Sequence, residues 1–411
     1  MSIAALTLEE TMHRLASIAG YEHTRKRGQT IFVAPVDAQQ ISEILRFANE
    51  SALVVTATGS GSKLHWGNPV APQIALSLAS MNAVREHSWQ DMTCTVEAGC
   101  TWDAMQAQLA HHRQMVALDP LWPQTATIGG IVAANDSGAL RLKYGPLRDL
   151  IIGMTVVLAD GTVAKTGGKV VKNVAGYDLH KLMTGSFGTL GIIASVNFRL
   201  HPIEQHARTW SAVAPNPSIF ARPLQAMLDS QLIPSCVQLR ADERECAIEI
   251  RIATRPECLH EQAARIENIF SPVALQETSE TVWQAREHLF SEPGATVLKI
   301  SILPSETCAL IAELQQWAAA EQIGIEIVAQ AHGLMTLSLK SSPELEKIIN
   351  RLRVRLANSG GSVVVQQIPD TLRGNIDLWG CTSNALPLMR EIKRRFDPNR
   401  ILNPGRFVGN I

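Results

Sequence analysis

Glycines in three separate clusters constrain this chain more than any other feature of its sequence. They lie within residues 59–61, 129–138 and 176–191, and the last cluster stands next to a run of β-forming residues. Glycine lets a ligand or another backbone approach at points where a side chain would collide with it. Three such points before residue 200 predict a domain that holds an extended, flat or phosphorylated ligand such as a dinucleotide, rather than a single anion.

The overall composition bears on the size of the core and on whether a nucleic acid is the partner. The chain has 411 residues, of which 46% are hydrophobic and 18% charged. That length predicts two domains, or one domain with a large insertion, and that composition supplies a sizeable core. A formal net charge of −1 gives no reason to expect a nucleic acid as the partner.

The N-terminal region and the apolar runs bear on the location of the protein. The first fifteen residues have no basic start followed by a long apolar run, which is the pattern of a secretory signal. The apolar run 128–134 is far too short to span a membrane. We expect a cytoplasmic protein, and association with the inner face of the plasma membrane through partner proteins stays open.

The seven cysteines are widely spread and form no Cys-x-x-Cys pair. An iron–sulfur cluster or a zinc ion held by this chain is therefore not expected, and we predict no metal site. We interpret the cysteines as buried or unreactive thiols in a reducing compartment.

The first glycine cluster has the features of a phosphate-binding loop. Residues 53–57 are strand-like and follow a helix for which Asp37 is the predicted N-cap. The backbone N–H groups of the next six residues could form a nest for phosphate oxygens, and Lys63 could add a positive charge. Taken in isolation, an ordinary polar turn explains the loop equally well. The six residues are Thr58, Gly59, Ser60, Gly61, Ser62 and Lys63.

Two better-known nucleotide motifs are not supported. A nicotinamide-type dinucleotide fingerprint beginning at Gly59 needs a third glycine where Leu64 stands. A phosphate-binding loop ending at residues 168–169 needs glycine at Val163 and a hydroxyl residue at Val170. The ligand of the three glycine clusters must be bound in another way.

The second half of the chain predicts an antiparallel sheet. Residues 215–217 are a plausible linker, and residues 246–253 alternate as a strand before a helix that begins at Pro256. Beyond them the pattern is strand, helix, strand, strand, helix, strand, which is the order of a ferredoxin-like unit. These segments are residues 296–302, 305–322, 325–331, 335–339, 343–358 and 362–367.

The order of the motifs resembles the FAD-binding domain of the vanillyl-alcohol oxidase/p-cresol methylhydroxylase (PCMH) family. The motifs are the first glycine loop, Ala-Thr-Ile-Gly-Gly at residues 126–130, Tyr-Gly at 144–145, an Asp-Gly hairpin at 160–161, and the glycine-rich stretch 176–193. The resemblance covers about residues 25–205 and a C-terminal piece. Residues 170–193 are especially similar to the FAD-binding E subunits of bacterial glycolate oxidase (glycolate dehydrogenase) complexes.

The resemblance implies an α+β fold in four parts. An N-terminal helix lies in residues 1–24, and a PCMH-type FAD-binding domain of two subdomains occupies residues 25–205. A ferredoxin-like antiparallel cap domain, which in the family covers the open side of the flavin, occupies residues 215–370. The C-terminal segment 371–411 returns to the FAD domain.

The resemblance also implies how FAD is held. Loop 58–63 matches the pyrophosphate loop, and the second and third clusters match the segments beside the flavin ring, the ribityl chain and the adenine. Covalent members of the family often use a histidine directly after the first loop, whereas His65 is displaced by several residues, so non-covalent FAD is expected. The matching residues beyond the loop are Thr127, Gly129, Gly130 and Gly138 for the flavin and ribityl part, and Gly188, Leu190, Gly191 and Ile193 for the adenine end.

Catalytic residues are harder to assign. Flavin oxidation of a 2-hydroxy acid needs a base or metal for the hydroxyl proton and a cation for the carboxylate. Relatives that oxidise D-2-hydroxy acids carry a histidine-rich metal motif on the cap domain, of which this chain keeps only His332. Asn403, in a tail that resembles the family's C-terminal signature, matches a position near the flavin ring. These two residues are the catalytic candidates, and most of the basic residues in the tail are interpreted as a solvated helix face.

Three hypotheses of function follow. The first is a FAD-binding subunit of a complex that oxidises glycolate to glyoxylate, beside a catalytic FAD subunit and an iron–sulfur subunit that receives the electrons. The second is a self-sufficient FAD dehydrogenase for D-lactate or another small 2-hydroxy acid. The third is a flavin-free structural partner. The glycine clusters argue against the third and the incomplete histidine motif against the second, so we favour the first.

Overall fold

The computed structural model describes residues 6–168, 178–342, 344–380 and 384–411. The start of the third glycine cluster, residues 176–177, therefore lies outside the described residues. Helices have these bounds: α1 Leu8–Ala19, α2 Ala38–Glu50, α3 Trp102–Ala110, α4 Ile128–Ala134, α5 Arg141–Tyr144, α6 Leu147–Leu150, α7 Leu179–Met183, α8 Ala221–Leu228, α9 Pro256–Phe270, α10 Ala285–His288, α11 Thr307–Glu321, α12 Leu345–Ala357 and α13 Leu386–Phe396. Strands have these bounds: β1 Thr24–Arg27, β2 Thr30–Val33, β3 Val55–Thr58, β4 Ile74–Ser77, β5 Val84–Ser88, β6 Thr93–Glu97, β7 Gln114–Met115, β8 Ile151–Val157, β9 Val163–Gly167, β10 Ile192–Arg199, β11 His201–Pro202, β12 Ala207–Ala214, β13 Cys236–Ala241, β14 Cys246–Ala253, β15 Gln276–Thr278, β16 Thr296–Ser301, β17 Ile325–Gln330, β18 Leu334–Leu339 and β19 Ser362–Gln367.

The helices and strands given above confirm the α+β class predicted from the sequence. The chain divides into two compact units. Unit 1 comprises Met1–Asp136, Pro146–Ile203 and Thr382–Ile411, and unit 2 comprises Ser137–Gly145 and Glu204–Cys381. Each unit has its own hydrophobic core. Among the described residues, no helix is both long and apolar enough to cross a membrane.

Unit 1 contains two main sheets. The first has the strand order β1-β2-β4-β3, in which β2, β4 and β3 run parallel. The helix before β3 is capped as predicted, since the Asp37 carboxylate accepts a 2.8 Å hydrogen bond from the backbone N–H of Gln40. The second sheet is antiparallel, with the order β5-β6-β10-β8-β9, and the predicted Asp160–Gly161 hairpin joins β8 to β9.

The C-terminal segment adds a short strand to the edge of the first sheet, next to β3. The N–H of Val55 donates to the carbonyl of Ile401 at 2.7 Å, and the N–H of Asn403 donates to the carbonyl of Val55 at 3.1 Å. Residues 401–403 therefore run parallel to β3. The predicted return of the tail to the N-terminal half is observed at this edge.

A buried ion pair fastens this segment. Lys393 and Asp397 are 4% and 0% exposed, and the ammonium nitrogen lies 2.6 Å from a carboxylate oxygen of Asp397. The same nitrogen donates to the carbonyls of Thr189 and Leu402, both at 2.8 Å. Asp397 in turn accepts from the backbone N–H groups of Ile401 and Leu402. Lys393 is thus an exception to the predicted solvated basic face, whereas Arg394 and Arg395 are exposed as predicted.

Unit 2 contains two ferredoxin-like repeats in one antiparallel sheet. The sheet order is β15-β12-β14-β13-β17-β18-β16-β19. The second repeat is the one predicted from the sequence, and its elements are β16, α11, β17, β18, α12 and β19. The elements β12, α8, β13, β14, α9 and β15 repeat the same chain order and the same strand order. The repeats meet where β13 pairs with β17.

The predicted linker at residues 215–217 is wrong. The strand before it, β12, already pairs with β14 in the sheet of unit 2, and unit 2 resumes at Glu204. The Asn216 side chain accepts a 2.9 Å hydrogen bond from the N–H of Ser218 and begins the short helical segment Pro217–Phe220. Proline and asparagine mark a helix start inside the unit here, not a boundary between units.

The interpretation of the cysteines agrees with the six that the structure describes. Five of them are buried, and all six have free thiols. Burial raises the pKa of Cys94 and of Cys246 to about 12, and that of Cys308 to about 11. These thiols are protonated and unreactive at neutral pH.

Removal of the Asp397 carboxylate tests the role of the buried pair. Asp397→Ala leaves the ammonium group of Lys393 without its counter-charge, so we expect the free energy of unfolding to fall by about 3–5 kcal/mol. Urea-induced unfolding measures the loss. Glu391→Gln, on the exposed side of α13, the helix that contains Lys393, is the matched control and should leave the free energy of unfolding almost unchanged. Equal stability of the Asp397 variant and the control would contradict the assignment.

Candidate functional site

Unit 1 contains an open cavity beside the carboxyl end of β3, with about 710 Å³ of atom-free space that includes solvent at its mouth. Parallel β3 and β4 end at the same edge of their sheet, which is a common place for a ligand in mixed α/β structures. Four segments of the chain form its walls. The lining residues are Ala57, Thr58, Gly59, Ser60, Gly61, Ser62, Lys63, Leu64, Leu78, Thr127, Gly129, Gly130, Ala133, Ala134, Phe187, Gly188, Gly191, Ile192, Ile193, Asn403 and Arg406.

The first wall is the loop that follows β3. Residues 58–63, the predicted phosphate-binding loop, all line the cavity. The loop lies close to the second wall, because a Cβ added to Gly59 would lie 2.1 Å from Oγ1 of Thr127. Glycine at position 59 is therefore required by the approach of another protein segment.

The second wall is the start of α4. The N–H of Gly129 donates to the carbonyl of Ala98 at 2.8 Å, and a Cβ on Gly129 would lie 3.0 Å from Cβ of Ala98. Ala98 is itself bonded through its N–H to the carbonyl of Ala194 in β10. Gly129 thus lets α4 pack against the second sheet, while its neighbour Gly130 faces more open space.

The third wall is the turn before β10. The N–H of Phe187 donates to the carbonyl of Ala133 at 2.9 Å, which holds the turn against the end of α4. Gly188, Gly191 and Ile193, which the resemblance places at the adenine end of FAD, line the cavity. Leu190 is not among the lining residues and packs in the hydrophobic core of unit 1 instead.

The fourth wall is the C-terminal segment, where Asn403 joins β3 to the turn before β10. Its side-chain oxygen accepts a 2.7 Å hydrogen bond from the hydroxyl of Thr56, and its side-chain nitrogen donates to the carbonyl of Phe187 at 2.8 Å. The residue is 2% exposed and lines the cavity. Both hydrogen bonds position the walls.

Lys63 has a different environment from the one predicted. Its ammonium nitrogen lies 3.4 Å from a carboxylate oxygen of Asp136 and donates to the carbonyl of Leu121 at 3.1 Å. The rings of Trp122 and Trp66 lie 5.0 and 5.7 Å from the same nitrogen. The charge of Lys63 is thus neutralised within the protein, although the residue belongs to the loop.

Arg406 is a cationic lining residue that sequence reasoning missed. The side chain is buried, and its Nη2 atom donates to the carbonyls of Lys63, Leu64 and Trp66 at 3.1–3.3 Å. The available signal was a basic residue directly after Asn-Pro-Gly in a tail already expected to return to the FAD domain. Its contact with the first loop depends on a pairing between distant parts of the chain.

Gly138 and His332 lie in unit 2 and are not among the residues that line this cavity. Nε2 of His332 lies 3.2 Å from the carbonyl oxygen of Gly138. Burial is the main cause that lowers the pKa of His332 to about 4, so the ring is neutral at pH 7. Among the described residues, no group of three or more His, Cys, Asp or Glu side chains could hold a metal ion.

The residues of the cavity fit a long flat ligand such as FAD. A Cβ added to Gly130 or Gly61 would make only ordinary van der Waals contacts, none closer than 3.4 Å, so protein atoms do not fill the space beside these two glycines. They differ in this from Gly59, Gly129 and Gly191, where neighbouring protein atoms fill the space. The residues that would hold FAD are those of loop 58–63, the start of α4 and the turn before β10.

The sequence of the chain matches two family models. Residues 30–167 match the FAD binding domain, and residues 381–407 match the C-terminal domain of FAD linked oxidases. The chain is 26% identical to the glycolate oxidase subunit GlcD of Bacillus subtilis, over 91% of this chain and 88% of that protein. It is 27% identical to a D-lactate dehydrogenase of Archaeoglobus fulgidus, over 93% of this chain and 92% of that protein.

A solved structure with the same fold is that of 4-ethylphenol oxidase from Gulosibacter chungangensis. The TM-score is 0.74 at 15% sequence identity, and the match covers 98% of both chains. At this identity the match concerns the fold alone.

Substitution of Gly59 tests the assembly of the cavity. In Gly59→Ala the new methyl group would collide with Thr127, whose branched side chain has little freedom to move. We expect affinity for FAD to fall at least about tenfold, since one wall must shift. Flavin fluorescence during titration of the apoprotein measures the affinity. Gly374→Ala, at a position with no neighbour within 4 Å, is the control, and equal affinities in both variants would contradict the prediction.

Acid titration tests the state of His332. The pKa of the ring falls from 6.5 in the unfolded chain to about 4 in the folded one. Between pH 4 and pH 6.5 the unfolded chain therefore binds more protons at His332 than the folded chain does. Stability should therefore decrease as the pH falls from 6.5 to 4, by up to about 3 kcal/mol from this residue. Unfolding free energies of wild type and His332→Asn over this range measure the effect. Parallel pH profiles would show that His332 titrates normally.

Proposed function

We propose that the chain is an FAD-linked oxidoreductase with a PCMH-type FAD-binding domain, and that it is a FAD-binding subunit of a complex that oxidises glycolate to glyoxylate. The observation that carries the proposal is the cavity of unit 1. Three of its walls come from the glycine clusters that match the family's FAD segments, and the fourth comes from the C-terminal segment. The similarity to a glycolate oxidase subunit over 91% of the chain supports the substrate and the complex.

Bound FAD would supply an acceptor for the electrons that the partner FAD subunit takes from the hydroxy acid. Loop 58–63 would bind the pyrophosphate through successive backbone N–H groups. Thr127, Gly129 and Gly130 would lie beside the flavin and ribityl part, and the turn before β10 beside the adenine. Apolar lining residues such as Leu78 and Ile192 would exclude water from the bound cofactor.

The environment of His332 supports a role beside a catalytic subunit. A base must be free to take the hydroxyl proton of the substrate, and Nε2 of this histidine already contacts the carbonyl of Gly138. Its low pKa makes it a poor proton acceptor at neutral pH. We therefore place proton abstraction in a partner FAD subunit and electron transfer onward in an iron–sulfur subunit.

A self-sufficient D-lactate dehydrogenase is the second candidate. It is favoured by the D-lactate dehydrogenase relative, which matches over 93% of this chain at an identity similar to that of the glycolate oxidase subunit. In that case the base for the hydroxyl proton would be a residue other than His332. Both candidates require FAD in the cavity of unit 1.

Anaerobic flavin spectroscopy separates the candidates. The purified chain with bound FAD is mixed with glycolate or D-lactate, and with L-lactate as the stereochemical control. We expect the flavin to stay oxidised in the isolated chain and to be reduced by glycolate when the partner subunits are added. Bleaching of the isolated chain by D-lactate would instead establish the dehydrogenase, and a chain that cannot be loaded with FAD would contradict both.

A further inference from the structure

Unit 2 contains a groove along one side of α9, separate from the cavity proposed for FAD. Two neighbouring cavities that share Gln231 form it, with about 1000 and 410 Å³ of atom-free space that includes solvent at their mouths. Gln262, Arg265 and Ile269 line it at intervals of three and four residues, so one face of α9 is one of its walls. Gln231 and Ile233, between α8 and β13, belong to another wall. We call this feature the α9 groove.

Several amide side chains in the lining of the groove are not used by the protein. Gln205, Gln231 and Gln262 have no side-chain hydrogen bond to another described residue, and the same is true of Asn268. An amide group both donates and accepts hydrogen bonds, as a peptide backbone does. The lining therefore suits a ligand with several N–H and C=O groups, such as an extended peptide.

The lining also carries a surplus of positive charge. Among the described residues its one carboxylate belongs to Glu204, which forms an ion pair with Lys143. Arg255 is exposed and has no ion pair with another described residue. Arg265 lies 2.6 Å from a carboxylate oxygen of Glu261, but these side chains are 47% and 63% exposed, so the pair contributes little and can be exchanged. The charge of the groove favours an acidic ligand.

The two arginines are too far apart for one small anion to contact both. Arg255 is the N-cap of α9 and Arg265 is ten residues further along the chain, which corresponds to a rise of about 15 Å. In an extended peptide, side chains four residues apart point to the same side and are separated by about 13 Å. Two carboxylates at that spacing match the two guanidinium groups.

We propose that the α9 groove binds an extended acidic segment of a partner subunit, with two acidic side chains about four residues apart. The inference rests on the complex proposed above and names the place on this chain where a subunit docks. The amide side chains would pair with the backbone of the segment, and Arg255 and Arg265 with its carboxylates. Ile233, which lines the groove and is 66% exposed, would pack against an apolar residue between the two acids.

Photo-crosslinking in the assembled complex locates the segment. The variants are Ile233→p-benzoylphenylalanine and, as the control, Leu388→p-benzoylphenylalanine, at a position in unit 1 that is 63% exposed. Each variant is irradiated together with the partner FAD and iron–sulfur subunits, and mass spectrometry identifies the joined peptides. We expect position 233 to join an acidic segment of one partner subunit, and position 388 not to join that segment.

Charge reversal tests how the segment is recognised. The double variant Arg255→Glu/Arg265→Glu should weaken association with the partner subunits about 10- to 100-fold, because its carboxylates would repel those of the segment. Arg208→Glu is the matched control, since Arg208 of unit 2 is also exposed and paired, with Glu277, but does not line the groove. Association kinetics on immobilised partner subunits give the Kd. The unfolding temperature and the FAD affinity of the isolated chain should not change in either variant.

Each of the other outcomes overturns the inference. Crosslinks from position 233 to a segment without acidic residues, to a second copy of this chain or to no protein would each exclude the proposed occupant. Equal association of the double variant and the Arg208 control would exclude recognition by the two arginines. In these cases the wild type still associates with the partner subunits, so the proposed complex stands. Failure of the wild type to associate would overturn the complex and the docking site together.

Discussion

The architecture of unit 1 depends on one buried ammonium group. Lys393 reaches the carboxylate of Asp397, the carbonyl of Thr189 in the turn before β10, and the carbonyl of Leu402 in the C-terminal strand. Burial of a lysine is costly unless each of its donors finds an acceptor, and here the three acceptors come from two parts of the chain, the C-terminal segment and the turn before β10. These two parts are the fourth and third walls of the cavity. The C-terminal segment therefore helps to form the cavity, although it lies at the far end of the sequence.

The glycines of the site have two different physical roles. At Gly59, Gly129 and Gly191 a side chain would collide with neighbouring protein atoms, so these glycines let the walls approach one another. At Gly61 and Gly130 an added Cβ would make only ordinary van der Waals contacts, so protein atoms do not fill the space. In the sequence all five glycines have the same appearance, that of points where a ligand approaches. In the structure all five line one cavity, where close packing of the walls and space between them both require glycine.

Unit 2 shows how a repeated fold can be missed in a sequence. The second ferredoxin-like repeat has helices of 15 and 13 residues and six-residue strands, which give clear periodic patterns. In the first repeat α8 has eight residues and β15 only three, so these patterns fall below what periodicity can detect. The pairing of β13 with β17 makes one sheet of both repeats. The residues at 215–217 then connect a strand to a helix within the first repeat.

The sequence by itself determined the local elements, their order, the cofactor class and most of the loop that lines the cavity. The Asp37 cap, the hairpin at 160–161 and the strand at 246–253 depend on neighbours along the chain, and local patterns predict such features well. Only the tertiary structure decided the charges of the site. Whether Lys63 meets a phosphate or Asp136, and whether Arg406 reaches the first loop, depends on side chains brought together from distant positions. The residues next to either cation in the sequence do not reveal its electrostatic partner. The energy of a charge pair depends on the distance between the two charges in space, and that distance is fixed only when the chain has folded.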